Sequence, residues 1–316
     1  MLDFKELRTQ SPILLRGDEH ICYRDPTVYY LDGVFHLFFT YCTTEFRDGG
    51  FSRYLQIGTV QSRDLREFTS VRTLTPKDAS LNYSSPGNIV FRDGKFVMCC
   101  QTYCCENGER WGNERSRLWT MESDDLEHWS EPTLLRVKGD DVPDEQMGRM
   151  IDPFLIQDDT GDWFCFFKQN GVSFSKSSDL RHWRFMGRAD SGENVCVLKD
   201  GDIYRLWDSP PNGIGEMVSH DLLHWEETGR LLRFGQADWP WAQGRLTAGF
   251  VLDLRREPTV GKALMFFHGT GPYPEPTIFN QYACISVAWS DDLLQWDYPR
   301  GDFGEWEINQ PLLTGF

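Results

Sequence analysis

A short hairpin frame recurs along the chain, and its recurrence narrows the possible folds more than any other feature. The first copy is Arg24-Asp25-Pro26-Thr27-Val28-Tyr29-Tyr30-Leu31-Asp32-Gly33-Val34-Phe35-His36-Leu37-Phe38-Phe39-Thr40. It reads as an acid, a β-rich run, an Asp-Gly turn, and a second strand of aromatic and aliphatic residues ending on a polar side chain. The frame returns at Asp152-Pro153-Phe154-Leu155-Ile156-Gln157-Asp158-Asp159 and at Glu193-Asn194-Val195-Cys196-Val197-Leu198-Lys199-Asp200-Gly201. Seven residues separate the leading acid from the acid at the turn in each copy. Side chains in a strand alternate faces with a period of two, so equal offsets from the turn predict that Asp25, Asp152 and Glu193 share one structural column. A fourth copy, Ser84-Ser85-Pro86-Gly87-Asn88-Ile89-Val90-Phe91-Arg92-Asp93-Gly94, has Pro86 at the acid's position. The hairpin therefore forms without a carboxylate there, and the acid is an addition to the fold.

A second signal follows each hairpin: Ser62-Arg63-Asp64-Leu65-Arg66-Glu67-Phe68, Ser123-Asp124-Asp125-Leu126-Glu127-His128-Trp129, Ser178-Asp179-Leu180-Arg181-His182-Trp183, Ser219-His220-Asp221-Leu222-Leu223-His224-Trp225 and Ser290-Asp291-Asp292-Leu293-Leu294-Gln295-Trp296. Ser and Asp favour a side-chain-capped turn, and the Leu and closing aromatic tuck that turn against the strands beneath. The closing aromatics lie 61, 54, 42 and 71 residues apart, the range in which self-similarity marks propeller blades or solenoid repeats. Four strands per unit, five units and no convincing amphipathic helix predict an all-β fold, a five-bladed β-propeller with four antiparallel strands per blade. The expected arrangement is a single domain over residues 1–316, with blades at 21–80, 81–145, 146–188, 189–235 and 236–316. Residues 1–20 and the tail Asn309-Gln310-Pro311-Leu312-Leu313 are expected to help close the ring, since an open propeller would leave exposed strand edges.

The 316 residues include 48 acids and 32 Lys and Arg, a formal charge of −16. That balance repels a phosphate backbone and an anionic membrane surface, so neither nucleic acid nor membrane is an expected partner. The N-terminus has no basic start followed by an apolar core, and no apolar run is long enough to span a bilayer, which reads as cytoplasmic. Nine cysteines, most of them within apolar strands, read as reduced buried thiols. The doublets Cys99-Cys100 and Cys104-Cys105 lack the spacing and the neighbouring His or Cys set of a zinc site.

Innermost propeller strands crowd around the axis, so the columnar acids are expected to meet at one mouth of the central channel. Carboxylates brought together without matching cations raise one another's pKa. A raised-pKa acid that protonates a leaving oxygen and an ionised partner across the sugar are the requirements of glycoside hydrolysis. Glu193 reaches one methylene further than an Asp and is assigned the acid; Asp25 is assigned the base. A second column, Thr40, Gln101, Lys168, Asp208 and His268, ends each second strand on a polar side chain and is expected to contact sugar hydroxyls. Trp239 and Trp241, with Trp111, lie in insertions outside the repeat and are expected to touch substrate. Trp129, Trp183, Trp225 and Trp296 repeat with the fold and not with the acids, and are expected to serve blade packing.

The Asp-Pro openings of blades one and three, the Glu opening blade four and the repeated Ser-Asp-Leu-x-x-Trp turns resemble glycoside hydrolase family 43 and the related propeller families 62, 32 and 68, over nearly the whole chain. This resemblance implies inverting hydrolysis of arabinofuranosyl or xylosyl oligosaccharides. Asp25 would activate water, Glu193 would be the general acid, and Asp152 would orient that acid and tune its pKa. It also implies that Arg245 clamps substrate and that His268 near the axis helps hold a hydrated calcium, no other cofactor being required. Two departures stand out. Ser84-Ser85-Pro86 replaces the common Trp-Ala-Pro, and Glu193-Asn194-Val195 replaces Glu-Gly-Pro. Two alternatives remain open: a retaining enzyme with Asp25 as nucleophile, as in fructan-acting propellers, and a carbohydrate-binding propeller without turnover.

Overall fold

The computed structural model describes residues 2–48, 50–278 and 281–308. Their strands form five four-stranded antiparallel sheets, each in simple sequential order. The innermost strands are Ile21–Leu31, Leu81–Arg92, Ile151–Gln157, Glu193–Asp200 and Arg245–Asp253. Each touches the next, and the last returns to the first. This closed cycle is the five-bladed propeller that the repeats predicted.

The second strands, Val34–Arg47, Lys95–Cys104, Trp163–Lys168, Ile203–Ser209 and Ala263–Thr270, supply much of the core. Phe38, Phe39, Phe166, Leu206, Trp207, Phe266 and Phe267 are fully buried on them. The repeated tryptophans seal neighbouring blades. Trp129 of blade two meets Phe38 of blade one edge-on at 5.7 Å, Trp225 of blade four meets Phe166 of blade three at 5.9 Å, and Trp296 of blade five meets Trp207 of blade four at 6.5 Å.

The Ser-x-Asp-Leu turns explain why those rings sit where they do. The Ser hydroxyl accepts the Leu backbone N–H, as from Leu65 to Ser62 at 2.8 Å and from Leu126 to Ser123 at 2.9 Å. Asp125 takes the N–H groups of Glu127 and His128, both at 2.8 Å. The Leu itself adopts a left-handed conformation in all five turns, Leu65, Leu126, Leu180, Leu222 and Leu293. Its carbonyl then receives the tryptophan indole N–H, at 3.1 Å from Trp129 and 3.2 Å from Trp183, Trp225 and Trp296. In blade three the capping hydroxyl belongs to Ser177, one residue before the expected Ser178.

The N-terminal segment helps close the ring. Leu14 and Leu15 exchange backbone hydrogen bonds with Ile285 of blade five, while Tyr23 of blade one donates to Ala283. The expected closing tail, from Asn309 on, lies outside the described residues. No helix among the described residues is long and apolar enough to cross a membrane.

Candidate active site

Every innermost strand is interrupted near its start by a bulge, and the bulge builds the site. One residue in each has a left-handed backbone: Asp25, Ser85, Asp152, Asn194 and Ala248, with φ of 47°, 44°, 52°, 50° and 55°. Outside glycine this conformation is costly, which concentrates it at sites where the fold holds it in place. These five residues, with Gly87 and the flanking prolines, surround the narrow axial channel. Gly87 is required there, since a Cβ would lie 1.6 Å from the Pro153 carbonyl oxygen.

The column therefore differs from the expected one in two blades. In blade four the turn is Gly201-Asp202, because Asp200 is already paired with Ile203. Counting seven residues back from Gly201 reaches Asn194. Glu193 instead pairs with Ser209 just before the bulge, in the register that Arg24 occupies opposite Thr40. In blade two the bulge spans Ser84 to Asn88, one residue longer than Arg24 to Thr27, so the column position is Ser85 and not Pro86. The slip in blade four moves the second column as well. Ser209, and not Asp208, is the counterpart of Thr40, Gln101, Lys168 and His268.

Despite the slip, Asp25, Asp152 and Glu193 border one cleft of about 460 Å³ together with Lys168 and Arg245. Thr40, Gln101 and His268 do not line it; they hold the bulges from behind. Thr40 donates its hydroxyl to Asp25 Oδ2 at 2.9 Å and accepts the Ser85 N–H at 2.7 Å. Gln101 Oε1 accepts the Asp152 N–H at 2.5 Å. His268, fully buried, accepts the Asp25 N–H on Nδ1 at 3.1 Å. The expectation that these residues contact sugar hydroxyls is thus replaced by a positioning role. Asp208 is turned away, capping Gly192 N–H at 2.5 Å and the Ser191 hydroxyl at 3.0 Å.

Trp239 and Trp241 also depart from expectation. They are 4% and 0% exposed and stack on one another at 5.1 Å, with Trp239 lying parallel to Phe267 at 6.3 Å. They are core. Trp111 does border the cleft and is 39% exposed.

An alternating chain of charges runs along one wall. Arg24 contacts Glu275 at 2.6 Å, Glu275 contacts Arg245 at 2.6 Å, Arg245 contacts Glu193 at 2.7 Å, and Glu193 closes on Lys168. Burial alone would raise the Glu193 pKa, but the Lys168 ammonium and Arg245 guanidinium hold it below the ordinary range. Asp152 has the opposite fate. Burial, followed by the Glu193 and Asp25 charges, pushes it up to about 7, with only partial relief from Lys168 and the Ser85 hydroxyl at 3.1 Å. Glu275 is held well below its usual value: burial opposes ionisation, and Arg24, His268 and Arg245 overcome it.

His268 was expected to help bind calcium. Its Nδ1 is committed to Asp25, its Nε2 faces Glu275 at 3.7 Å, and two guanidiniums already neutralise Glu275. Among the described residues no group of three or more His, Cys, Asp or Glu side chains is arranged to hold a metal. A site with three or more such side-chain ligands is therefore not assembled at His268 among the described residues.

Arg24, Tyr103, Arg149, Asn194 and Glu275 border the cleft and were not singled out from the sequence. Arg24 carried a usable signal, since it precedes an Asp-Pro bulge and faces the axis in the register of Glu193. Glu275 carried none, as it lies in a short helical turn, Glu275–Ile278, inside a Pro-rich insertion.

The sequence profile described as glycosyl hydrolases family 32 N-terminal domain matches residues 22–206. No curated protein sequence matches the chain significantly. Solved structures are similar in fold at low identity. The catalytic domain of a Coprinopsis cinerea family 62 α-L-arabinofuranosidase is 13% identical, covering 88% of this chain and 95% of its own, with a TM-score of 0.63. A family 117 glycoside hydrolase of Zobellia galactanivorans is 14% identical over 86% and 85%, at 0.61. An exo-1,5-α-L-arabinanase from a bovine ruminal metagenomic library is 15% identical over 87% and 94%, at 0.56.

Proposed function

The chain belongs to the glycosyl hydrolase family 32 N-terminal domain family and is a glycosidase, and from that premise we propose that it cleaves a furanosyl residue from the end of an oligosaccharide in the Asp25–Asp152–Glu193 cleft. One observation carries the assignment: carboxyls from three different blades meet in one cavity, with environments that drive two of their pKa values apart. The family 62 α-L-arabinofuranosidases among the structural neighbours support a furanoside, and β-xylosidase neighbours support a xyloside as the second reading.

Asp25 works at the anomeric carbon. Its carboxylate is aimed by Thr40, and its backbone is pinned by His268. Direct attack gives a covalent intermediate and retention, whereas activation of water gives inversion. The family match spans all three acids; retention follows if the chain works as the fructan-acting propellers do, and inversion if it works as family 43 does. Proton NMR of the first-formed anomer decides, and an inverted product overturns the nucleophile role.

The Glu193 charge helps to disfavour ionisation of Asp152. The proton rests on Asp152 in the free protein, because Glu193 is neutralised by Lys168 and Arg245. As the leaving-group oxygen enters between Glu193 and those cations, the Glu193 carboxylate takes up a proton from Asp152 or solvent and passes it to that oxygen as the glycosidic C–O bond breaks. Asp25→Asn is expected to abolish turnover of every substrate. Glu193→Gln is expected to lose natural-substrate turnover by about 10²–10⁴-fold, yet recover most of it with a dinitrophenol leaving group that needs no proton. Equal losses on both substrates would reject Glu193 as donor.

A further inference from the structure

Arg24, Arg149, Lys168 and Arg245 are the basic side chains that border the cleft among the described residues. Glu275 occupies Arg24 and Arg245, and Glu193 occupies Arg245 and Lys168. Arg149 is different: its guanidinium has no ion pair among the described residues. Acids are not scarce in a chain with 48 of them and a charge of −16. The nearby Glu114 carboxylate takes the Arg149 backbone N–H at 3.1 Å in place of its side chain.

The side chain is nevertheless held firmly. Nε and Nη2 both donate to the Trp111 carbonyl, at 3.1 and 2.9 Å, and the guanidinium carbon lies 5.6 Å from the centre of the Tyr103 ring. The Arg149 carbonyl takes the Gln169 amide at 3.1 Å. Nη1 has no acceptor among the described residues. Half-buried and pre-positioned, this cation forms a planar donor of the kind that recognises carboxylate and sulfate groups. Tyr103 and Arg149 line the same cleft as Asp25, Asp152 and Glu193.

We propose that Arg149, with Tyr103 and the Trp111 loop, is a subsite for an anionic substituent, a carboxylate or sulfate, on the oligosaccharide. The inference rests on the glycosidase reading of the same cleft and names its substrate class. A neutral chain of sugars offers the guanidinium only hydroxyl acceptors, whereas an acidic one supplies a counter-charge and a charge-assisted hydrogen bond.

The test compares kcat/KM of the full chain on neutral arabino-, xylo- and fructo-oligosaccharides with uronate-bearing and sulfated counterparts. Wild type is expected to prefer an anionic form by about tenfold or more, with the preference shrinking as salt rises. Arg149→Met should bring the ratio close to one and Arg149→Lys should keep part of it. The two anionic arms identify the group. Equal rates on neutral and anionic forms, or a preference that survives Arg149→Met, would overturn the subsite. If no substrate is cleaved, the glycosidase reading fails on its own. Calorimetry with the uronate and sulfate oligosaccharides then decides the subsite: Arg149-dependent, salt-sensitive binding upholds it, and no such binding ends it.

Discussion

The surroundings of Asp152 oppose its ionisation, and those of Glu193 favour it. This difference gives the two residues opposite effects on stability. Asp152 has a folded pKa of about 7, above the 3.8 of an exposed carboxyl. The native state therefore holds a proton that the unfolded chain has lost between those values, and Asp152 lowers stability progressively as pH rises through that window. Asp152→Asn is expected to melt above wild type at pH 8, with an advantage of a few kcal/mol at most that fades as pH falls toward 4. Glu193 has a depressed pKa, so its stabilisation is present above the ordinary glutamate range and is lost on acidification. Glu193→Gln leaves Lys168 and Arg245 without their shared partner and is expected to melt below wild type at pH 7. Thermal scans of both variants across pH check the pair, and a common rise in melting temperature would show that repulsion dominates at both sites. Asp25 and Asp152 were legible because Asp-Pro and the strand period mark them, whereas Glu193 was reached through a register that is off by one residue. Their protonation was not: the cations that discipline Glu193 come from blade three, Lys168, and from the start of blade five, Arg245, and no local pattern ties those residues to blade four.

At the scale of loops and strands, the aromatic insertions separate into two kinds. The loop holding Trp239 and Trp241 folds inward, and Gly269 makes room for it, since a Cβ there would lie 2.6 Å from the Trp241 ring. The loop holding Trp111 stays at the cleft mouth, with Arg110 stacked on the Trp111 ring at 4.8 Å. Trp241→Ala is expected to cost about 3–5 kcal/mol of stability while leaving KM near its wild-type value at low temperature. Trp111→Ala is expected to raise KM several-fold with little change in melting temperature. The reverse pattern would restore Trp241 as a substrate platform. Both loops look alike in sequence, because a tryptophan outside the repeat signals burial or ligand contact equally well. The deciding partner, Gly269, lies in a different strand. The repeat itself was readable in every blade, since the Ser-x-Asp-Leu turn and its tryptophan are local and self-contained. Register in blade four was missed for a similar local reason: Asp200-Gly201-Asp202 offers two Asp and Gly frames, and the pairing of Asp200 with Ile203 selects the later one.

For the whole molecule, ring closure converts five similar sheets into one structure, and the N-terminal segment is part of that closure. Leu7 and Leu15 are 1% and 8% exposed, the Leu14–Leu15 backbone pairs with Ile285, and Arg300 and Gly301 donate back to the carbonyls of Arg8 and Gln10. Blade one also meets blade five directly, through Tyr23 and Ala283, so the bulge at Asp25 does not depend on the segment for its position. Deleting residues 1–18 should therefore leave the ring closed and the cleft formed at 25 °C. It should also remove two buried leucines, about 1.5–3 kcal/mol each, along with the Ile285 pairing. A fall in melting temperature of about 10 °C or more is expected, in a transition that stays single because each innermost strand still contacts both neighbours. Two separated transitions would mean that the blades unfold as independent groups held together by the segment. Loss of activity at 25 °C with an intact melting transition would mean that the segment, and not the Tyr23–Ala283 contact, holds Asp25 at the cleft.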